Sequence, residues 1–310
     1  MADEAMAKPI LITGGSSGIG KAATESLSAA GCMVYPTVRT EEDFSSLVKL
    51  PRVHPLMMDV TDREEVKRGI AQIVQAGEGL YGVVNNAAVI DVWPLVELED
   101  DELRRSLEVN LLGVHRVVRE SASLLARAHG RIVNVSSLEG LVSTKLAGPY
   151  EASKFALEAY SDNLRRELRP YGVTVAIVEP GGFSTNYAKS TAKVLERRAR
   201  VMKPALMKKE AEEVAATWKD EVSDVEGRAQ PSLVAEVIME ALLTEEPRNR
   251  YVVTSNMAEF RWAMGKLASR LVEVNRGSTY ALSRGELATL VDEAWTKESR
   301  SRSVLPSTRP

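Results

Sequence analysis

Residues 8–31 read Lys8-Pro-Ile-Leu-Ile-Thr13-Gly14-Gly15-Ser16-Ser17-Gly18-Ile19-Gly20-Lys21-Ala-Ala-Thr-Glu-Ser-Leu-Ser-Ala-Ala30-Gly31, and their order decides the fold. Lys8 to Thr13 is a short apolar strand, Gly14 to Gly20 a glycine-rich turn, and Lys21 to Ala30 an amphipathic helix closed by Gly31. In that context the glycines let backbone approach a pyrophosphate, and the free amides at the helix start attract its charge. Three motifs compete for these residues. Gly15 to Lys21 fits the Gly-x-x-x-x-Gly-Lys loop of nucleotide hydrolases, but the next position, which must offer a hydroxyl to magnesium, is Ala22. Gly14-Gly-Ser16-Ser-Gly18 fits a hydrolase nucleophile elbow, which needs an acid and then a histidine later in the chain. The histidines are His54, His115 and His129, with none in the stretch where that residue should fall. What remains is Thr-Gly-x-x-x-Gly-x-Gly, filled by Thr13, Gly14, Gly18 and Gly20.

Farther along, Pro149-Tyr-Glu-Ala-Ser-Lys154 sets a tyrosine and a lysine four residues apart on one helix face. A lysine ammonium beside a phenol stabilises the phenolate, so Lys154 is expected to pull the Tyr150 pKa down from about 10. A tyrosine so tuned hands a proton to a carbonyl or takes one from an alcohol. Alone the pair says little, because tyrosine and lysine at this spacing are common on solvated faces.

Taken together these residues resemble the short-chain dehydrogenase/reductase family, in the right order over roughly residues 8–190. The family's Asn-Asn-Ala-Gly appears as Asn85-Asn86-Ala87-Ala88, with Ala88 for glycine as the departure. Its acidic residue after the third strand matches Asp59, followed by Val60; its helix asparagine matches Asn110. Its catalytic serine matches Ser137, thirteen residues before Tyr150, and its Pro-Gly after the sixth strand appears as Pro180-Gly181, with Thr185 in the place of the usual threonine. The resemblance implies that Ser137 bonds the substrate oxygen, Tyr150 moves the proton, Lys154 tunes the tyrosine and binds the nicotinamide ribose, and Asn110 holds a water linking Lys154 to solvent. It also implies a cofactor held by Thr13, Gly14, Ser16, Ser17, Gly18, Ile19, Gly20, Val38, Arg39, Asp59, Val60, Asn86, Ala87, Ala88, Tyr150, Lys154, Pro180, Gly181 and Thr185.

Cofactor choice turns on the end of the second strand, Tyr35-Pro-Thr-Val38-Arg39-Thr40. In the family an aspartate there accepts the ribose hydroxyls and selects NAD(H). Here Val38 occupies that position and Arg39 follows, suited to charge-assisted bonds with the extra ribose phosphate. NADP(H) is therefore expected to be preferred, with NAD(H) left open because Glu41, Glu42 and Asp43 lie close by.

Composition fits an ordinary globular chain. Of 310 residues, 44% are hydrophobic and 27% charged, and the net charge of −3 recruits neither nucleic acid nor anionic membrane. The single cysteine, Cys32, excludes an intramolecular disulfide and a multi-cysteine metal site, and no metal is expected. No apolar stretch reaches the length of a membrane-spanning helix, and no signal peptide precedes the first strand, so a cytoplasmic protein is expected.

Strand and helix patterns alternate along the chain. Strands are expected at 32–38, 53–58, 82–85, 131–135, 173–178 and 250–254, and helices at 64–76, 100–128, 149–169 and 231–243. Such alternation implies an α/β fold, a Rossmann-type doubly wound parallel sheet with helices on both faces. One domain spans 1–310, with a cofactor-binding and catalytic core at 8–190 and a C-terminal extension at 231–298. The segment 182–230 is far longer than the usual connection of about 2–6 residues. Phe183, Tyr187, Leu195, Val201, Met202, Leu206, Met207 and Trp218 suit either a helical lid over a bulky apolar alcohol or carbonyl substrate, or a helix pair packed on its own stripe. With Val-Arg ending the second strand, this extended C-terminal third looks similar to the hydroxysteroid and retinol dehydrogenase branches, whose substrates are steroid-, retinoid- or lipid-like. Residues 260–272 form a basic amphipathic helix that could touch a membrane surface but is expected to pack on the core or on a second subunit. Residues 299–310 lack a hydrophobic period and are expected to be a disordered tail. Family analogy implies a homodimer or homotetramer. The alternative to an enzyme is a non-catalytic NADP-sensing or scaffold protein of the same fold.

Overall fold

The computed structural model describes residues 8–77, 79–183, 195, 198, 206–213, 216 and 229–302. One sheet is built from β1 (Pro9–Ile12), β2 (Met33–Val38), β3 (Leu56–Met57), β4 (Gly82–Asn85), β5 (Arg131–Val135), β6 (Thr174–Pro180) and β7 (Arg250–Val253). The strand order is β3-β2-β1-β4-β5-β6-β7 and each neighbouring pair is parallel. The chain winds outward from β1 to β3, then crosses back to β4 on the other side of β1. The strand order therefore reverses between β1 and β4, and ligands of such sheets bind outside the carboxyl ends of the strands at that point.

Around the sheet lie α1 (Gly18–Ala29), α2 (Glu41–Leu47), α3 (Arg63–Gln75), α4 (Asp100–Leu107), α5 (Val114–Arg127), α6 (Gly148–Leu168) and α7 (Ser232–Leu243). The strands read as apolar runs because both faces are covered. Their two-residue period sends alternate side chains into two cores. Ile10 and Ile12 join Ala23 and Leu27 of α1 and Val234, Ala235 and Ile238 of α7. Leu11 and Val83 join Val66 and Ile70 of α3, Val117 of α5 and Leu157 of α6.

Several elements depart from the expected boundaries for identifiable reasons. The helix expected over 100–128 is interrupted by a π-helical turn at Glu108–Gly113, where Gly113 is packed so closely that a Cβ would meet Val60 Cγ2 at 2.7 Å. The strand expected over 53–58 pairs in a ladder only at Leu56–Met57; Val53 bridges Val34 alone, and Pro55 offers no amide between them. The acidic run after Arg39 is the first turn of α2, where Thr40 Oγ1 caps the Asp43 N–H and the three carboxylates face the helix N-terminus.

The chain forms two compact units, Met1–Phe260 and Arg261–Pro310, where the sequence suggested one domain with an extension. The boundary falls within α8 (Met257–Arg276), which is followed by α9 (Arg284–Arg302). Of the residues of α8 only Ala263 is buried, and Leu271, Val272 and Val274 are exposed. The first four residues of the expected tail, 299–302, are helical, while 303–310 lie outside the described residues.

A buried polar ladder crosses the middle of the sheet. Asn85 of β4 donates its amide to Asn134 Oδ1 of β5 at 2.8 Å, and Asn134 donates to Ser161 Oγ of α6 at 2.8 Å. Replacing Asn134 with Val strands the Asn85 amide in the core and is expected to cost about 1–3 kcal/mol in urea unfolding, whereas replacing both asparagines with Val should recover part of that loss.

Candidate active site

The site begins where β1 and β4 end. Thr13 Oγ1 accepts the Asn86 and Ala87 backbone N–H groups, each at 3.0 Å, and the Asn86 side-chain amide donates to the carbonyls of Thr13 and Gly14, also at 3.0 Å. Gly14 has φ +66° and a Cβ there would press on the Ala87 backbone at 3.0 Å. A Cβ at Gly20 would overlap the Gly14 carbonyl. These four positions hold the strand ends together only because two of them have no side chain.

The first turn of α1 contains no acidic residue, and Ser17 at its N-cap makes no side-chain bond to the helix. The helix amides and the exposed Ser17 hydroxyl are therefore available to an anion, with Ser16, Gly18 and Ile19 beside them. The chemistry of this cradle fits a dinucleotide pyrophosphate. At the end of β2 the Arg39 side chain is 73% exposed, its Nη1 3.9 Å from Asp59 Oδ2. An exposed pair at that distance contributes little, so Arg39 is free to turn to another anion. Asp59 Oδ1 also accepts from the Thr61 N–H and hydroxyl. Val38 is buried in the core and its carbonyl accepts from Met58 N–H, so its side chain is a poor candidate for a cofactor contact; Val60 is buried as well, and Ala88 is exposed.

The residues expected to carry proton transfer lie at the end of β5, in the π turn and on α6. Ser137 leads out of β5, its hydroxyl accepting Glu139 N–H at 3.1 Å, and its side chain lowers the Tyr150 pKa. Lys154 Nζ donates to the Val135 carbonyl at 2.8 Å and lies 5.6 Å from the Tyr150 ring centroid. Asn110, in the π turn, is fully buried. Its Oδ1 accepts Val89 N–H, and its amide donates to the Val89 carbonyl and to Ser153 Oγ, each at 2.8 Å. Ser153 in turn donates to the Tyr150 carbonyl at 2.6 Å. Both amide hydrogens of Asn110 are thus used by protein groups, and the residue ties the loop after β4 to α6.

The electrostatics differ from those the spacing suggested. Burial raises the Tyr150 pKa, the Glu139 charge adds to the rise, and the Ser137 side chain opposes it. Burial pushes Lys154 down to about 8, against the raising influence of Glu158. The lysine does not offset the desolvation of the phenol, because its ammonium is directed at the Val135 carbonyl.

On the far side of the crevice, Gly181 follows β6 and donates its N–H to the Val253 carbonyl at 2.8 Å. Thr185 lies outside the described residues, as does most of the expected lid. Of the described residues of that segment, Phe183 joins the core with Val178 and Val253 and Leu206 is exposed, while others pack on the loop after β4. Leu195 and Ala211 are buried with Val92, Trp93 and Leu146. Arg198 Nη2 lies 2.6 Å from Glu102 Oε1 and 3.3 Å from the fully buried Asp91 Oδ1, which Arg105 also approaches at 3.3 Å. Sequence reasoning passed over Asp91 and Trp93, although an acid inside the apolar run Val89-Ile-Asp91-Val-Trp93 is a signal that a buried partner exists. Among the described residues no group of three or more His, Cys, Asp or Glu side chains could hold a metal ion, and no helix is long and apolar enough to cross a membrane.

A family model described as short chain dehydrogenase matches residues 8–196. The NADPH-dependent 3-dehydrocapnine reductase of Ornithobacterium rhinotracheale is 33% identical over 273 residues, covering 85% of this chain and 94% of that protein. Human retinol dehydrogenase 16 is 35% identical over 257 residues, 79% of this chain and 80% of that one. The crystal structure of a short-chain dehydrogenase from Streptomyces avermitilis superposes with a TM-score of 0.73 at 29% identity, covering 87% of this chain and 96% of that one.

The depressed Lys154 pKa has a measurable consequence in the cofactor-free protein. An unfolded lysine keeps its proton up to about 10.4, while folded Lys154 releases it above about 8. Between those values the unfolded state binds more protons, so the lysine's contribution to stability rises with pH. Urea unfolding at pH 7.5 and 9.5 should show that gain in the native protein and not in Lys154→Met, after subtracting the pH dependence common to both.

Proposed function

The chain belongs to the short-chain dehydrogenase/reductase family, and on that premise we propose that it is an NADP-preferring oxidoreductase interconverting an alcohol and its ketone or aldehyde. The observation that carries the reading is Lys154 Nζ 5.6 Å from the Tyr150 ring centroid, with Ser137 at the end of the neighbouring strand, in a sheet whose first strand ends in a glycine cradle. When bound, the cofactor supplies hydride exchange at its nicotinamide. Thr13, Gly14, Ser16, Ser17, Gly18, Ile19 and Gly20 would hold its pyrophosphate, Arg39 the ribose phosphate, Asp59 and the backbone of Val60 the adenine, and Asn86, Ala87, Ala88, Pro180, Gly181, Thr185 and Lys154 the nicotinamide half.

Tyr150 moves the proton to or from the substrate oxygen. Ser137 donates a hydrogen bond to that oxygen and stabilises the negative charge that develops there. Lys154 keeps positive charge next to a phenol that burial holds neutral. Asn110 and Ser153 fasten the tyrosine's own backbone, so its hydroxyl is held relative to the loop after β4. A sensor or scaffold protein of this fold would need the cradle and not the intact quartet.

The substrate class is bulky and apolar, steroid-, retinoid- or lipid-like. Support comes from the apolar cluster in which Leu146, on the loop between Ser137 and Tyr150, packs with Val92, Trp93 and Leu195, and from a retinol dehydrogenase among the similar proteins. The NADP preference is supported by the exposed Arg39, by the absence of a carboxylate at Val38, and by similarity to an NADPH-dependent reductase. Assembly as a homodimer or homotetramer and residence in the cytoplasm belong to the same reading by family analogy alone.

The test is NADPH absorbance decay with a panel of apolar ketones and aldehydes. Tyr150→Phe keeps the ring and removes the proton carrier, so kcat is expected to fall ~10²–10⁴-fold with cofactor affinity near native. A near-native kcat in that variant would rule out the mechanism. Cofactor choice is read from kcat/KM for NADPH against NADH. Arg39→Ala should lower the ratio by roughly one to two decades, the value of a charge-assisted hydrogen bond. An unchanged ratio would make Arg39 a solvated surface residue.

A further inference from the structure

The loop that follows β6 is held by a residue outside the stretch that matches the family model. α8 begins with Asn256-Met-Ala-Glu259, the spacing of a capping box. The first half of the box is formed: Asn256 Oδ1 accepts Glu259 N–H at 2.9 Å. In the usual second half the glutamate reaches back to the N–H of its own N-cap. Glu259 instead divides its carboxylate between two loops. Oε1 accepts Gly182 N–H at 2.7 Å, while Oε2 accepts Ser255 N–H at 3.0 Å and the Ser255 hydroxyl at 3.1 Å. Gly182 follows the end of β6 and Ser255 the end of β7, both at the carboxyl edge of the sheet.

The carboxylate also fills the space next to Gly181, where a Cβ would overlap it. Gly181 and Glu259 therefore require one another: a side chain at 181 would displace the carboxylate, and without the carboxylate Gly182 N–H has no acceptor among the contacts of the described residues. Three donors converging on one carboxylate make a stiff clamp, and charge-assisted bonds are stronger than neutral ones. The clamp sets the path of Pro180-Gly181-Gly182, the segment assigned above to the nicotinamide half of the cofactor.

We propose that Glu259 is a positioning residue for the nicotinamide half of the bound cofactor, acting through the Gly181–Gly182 backbone. The inference rests on the cofactor reading above. Full-length native protein, Glu259→Ala and Glu259→Gln would be titrated calorimetrically with NADPH and with adenosine 2′,5′-bisphosphate, which carries the adenine half and no nicotinamide. Glu259→Ala is expected to weaken NADPH roughly tenfold, the loss of about one charge-assisted bond, and to leave the bisphosphate unchanged. Glu259→Gln keeps the shape and one acceptor oxygen, so its loss should be smaller and again confined to NADPH; it carries the test if the alanine variant does not fold. A merely structural role would weaken both ligands alike, and that result, or unchanged NADPH affinity in Glu259→Ala, would overturn the inference while native binding still upheld the cofactor reading. Native protein that bound neither NADPH nor NADH would overturn the reading and the inference together.

Discussion

The fastening between the ends of β1 and β4 is the constraint on which the rest of the molecule depends. At the point where the strand order reverses, two neighbouring strand ends lead their chains apart and open a crevice. Their last amides and carbonyls lie beyond the ladder and still need partners. Thr13 and Asn86 supply them, each bonding the backbone of the other's strand end. Because Gly14 and Gly20 have no side chains, α1 starts close under this junction and its first amides face the crevice unpaired by acidic side chains. Strand fastening and anion affinity thus have one cause, the close approach of backbone to backbone.

Burial governs the chemistry on the other side of the crevice. Tyr150 and Lys154 shift in opposite directions, and for both the largest cause is desolvation of the charged form. In this state the site holds a neutral phenol and a loosely protonated amine. Here the Lys154 ammonium is hydrogen-bonded to the Val135 carbonyl, and burial dominates the Tyr150 pKa. The same cost of burying charge shapes the loop after β4. Asp91 has no exposure to water and is balanced by Arg105, Arg198 and the Ser106 hydroxyl. Buried ion pairs of this kind are weak sources of stability, and their geometry specifies which residues meet. Here they specify that Arg198 docks at the loop leading from Asn86.

The sheet was legible in the sequence because its strands are buried on both faces and read as apolar runs between glycines, and β4 and β5 fall where the pattern put them. Ser137, Tyr150 and Lys154 were legible because a strand end and one turn of helix hold their spacing. The π turn at Glu108–Gly113 was hidden, since a helical period continues through it, and it exists where Gly113 meets Val60 from another element. α2 was hidden under its acidic run, which reads as a charge cluster until Thr40 is seen capping it.

By itself the sequence determined the parallel doubly wound fold, the glycine cradle and the spacing of Ser137, Tyr150 and Lys154, because each depends on local order along the chain. The tertiary structure alone decided which way the two pKa values move, that both amide hydrogens of Asn110 are used on Val89 and Ser153, and that Glu259 turns its carboxylate to Gly182 instead of closing its capping box. Each of those outcomes depends on water being excluded, or on a partner brought from a distant part of the chain. For Glu259 the partner is 77 residues away. A motif records what its own neighbours can do, and desolvation and long-range acceptors are properties of the packed molecule.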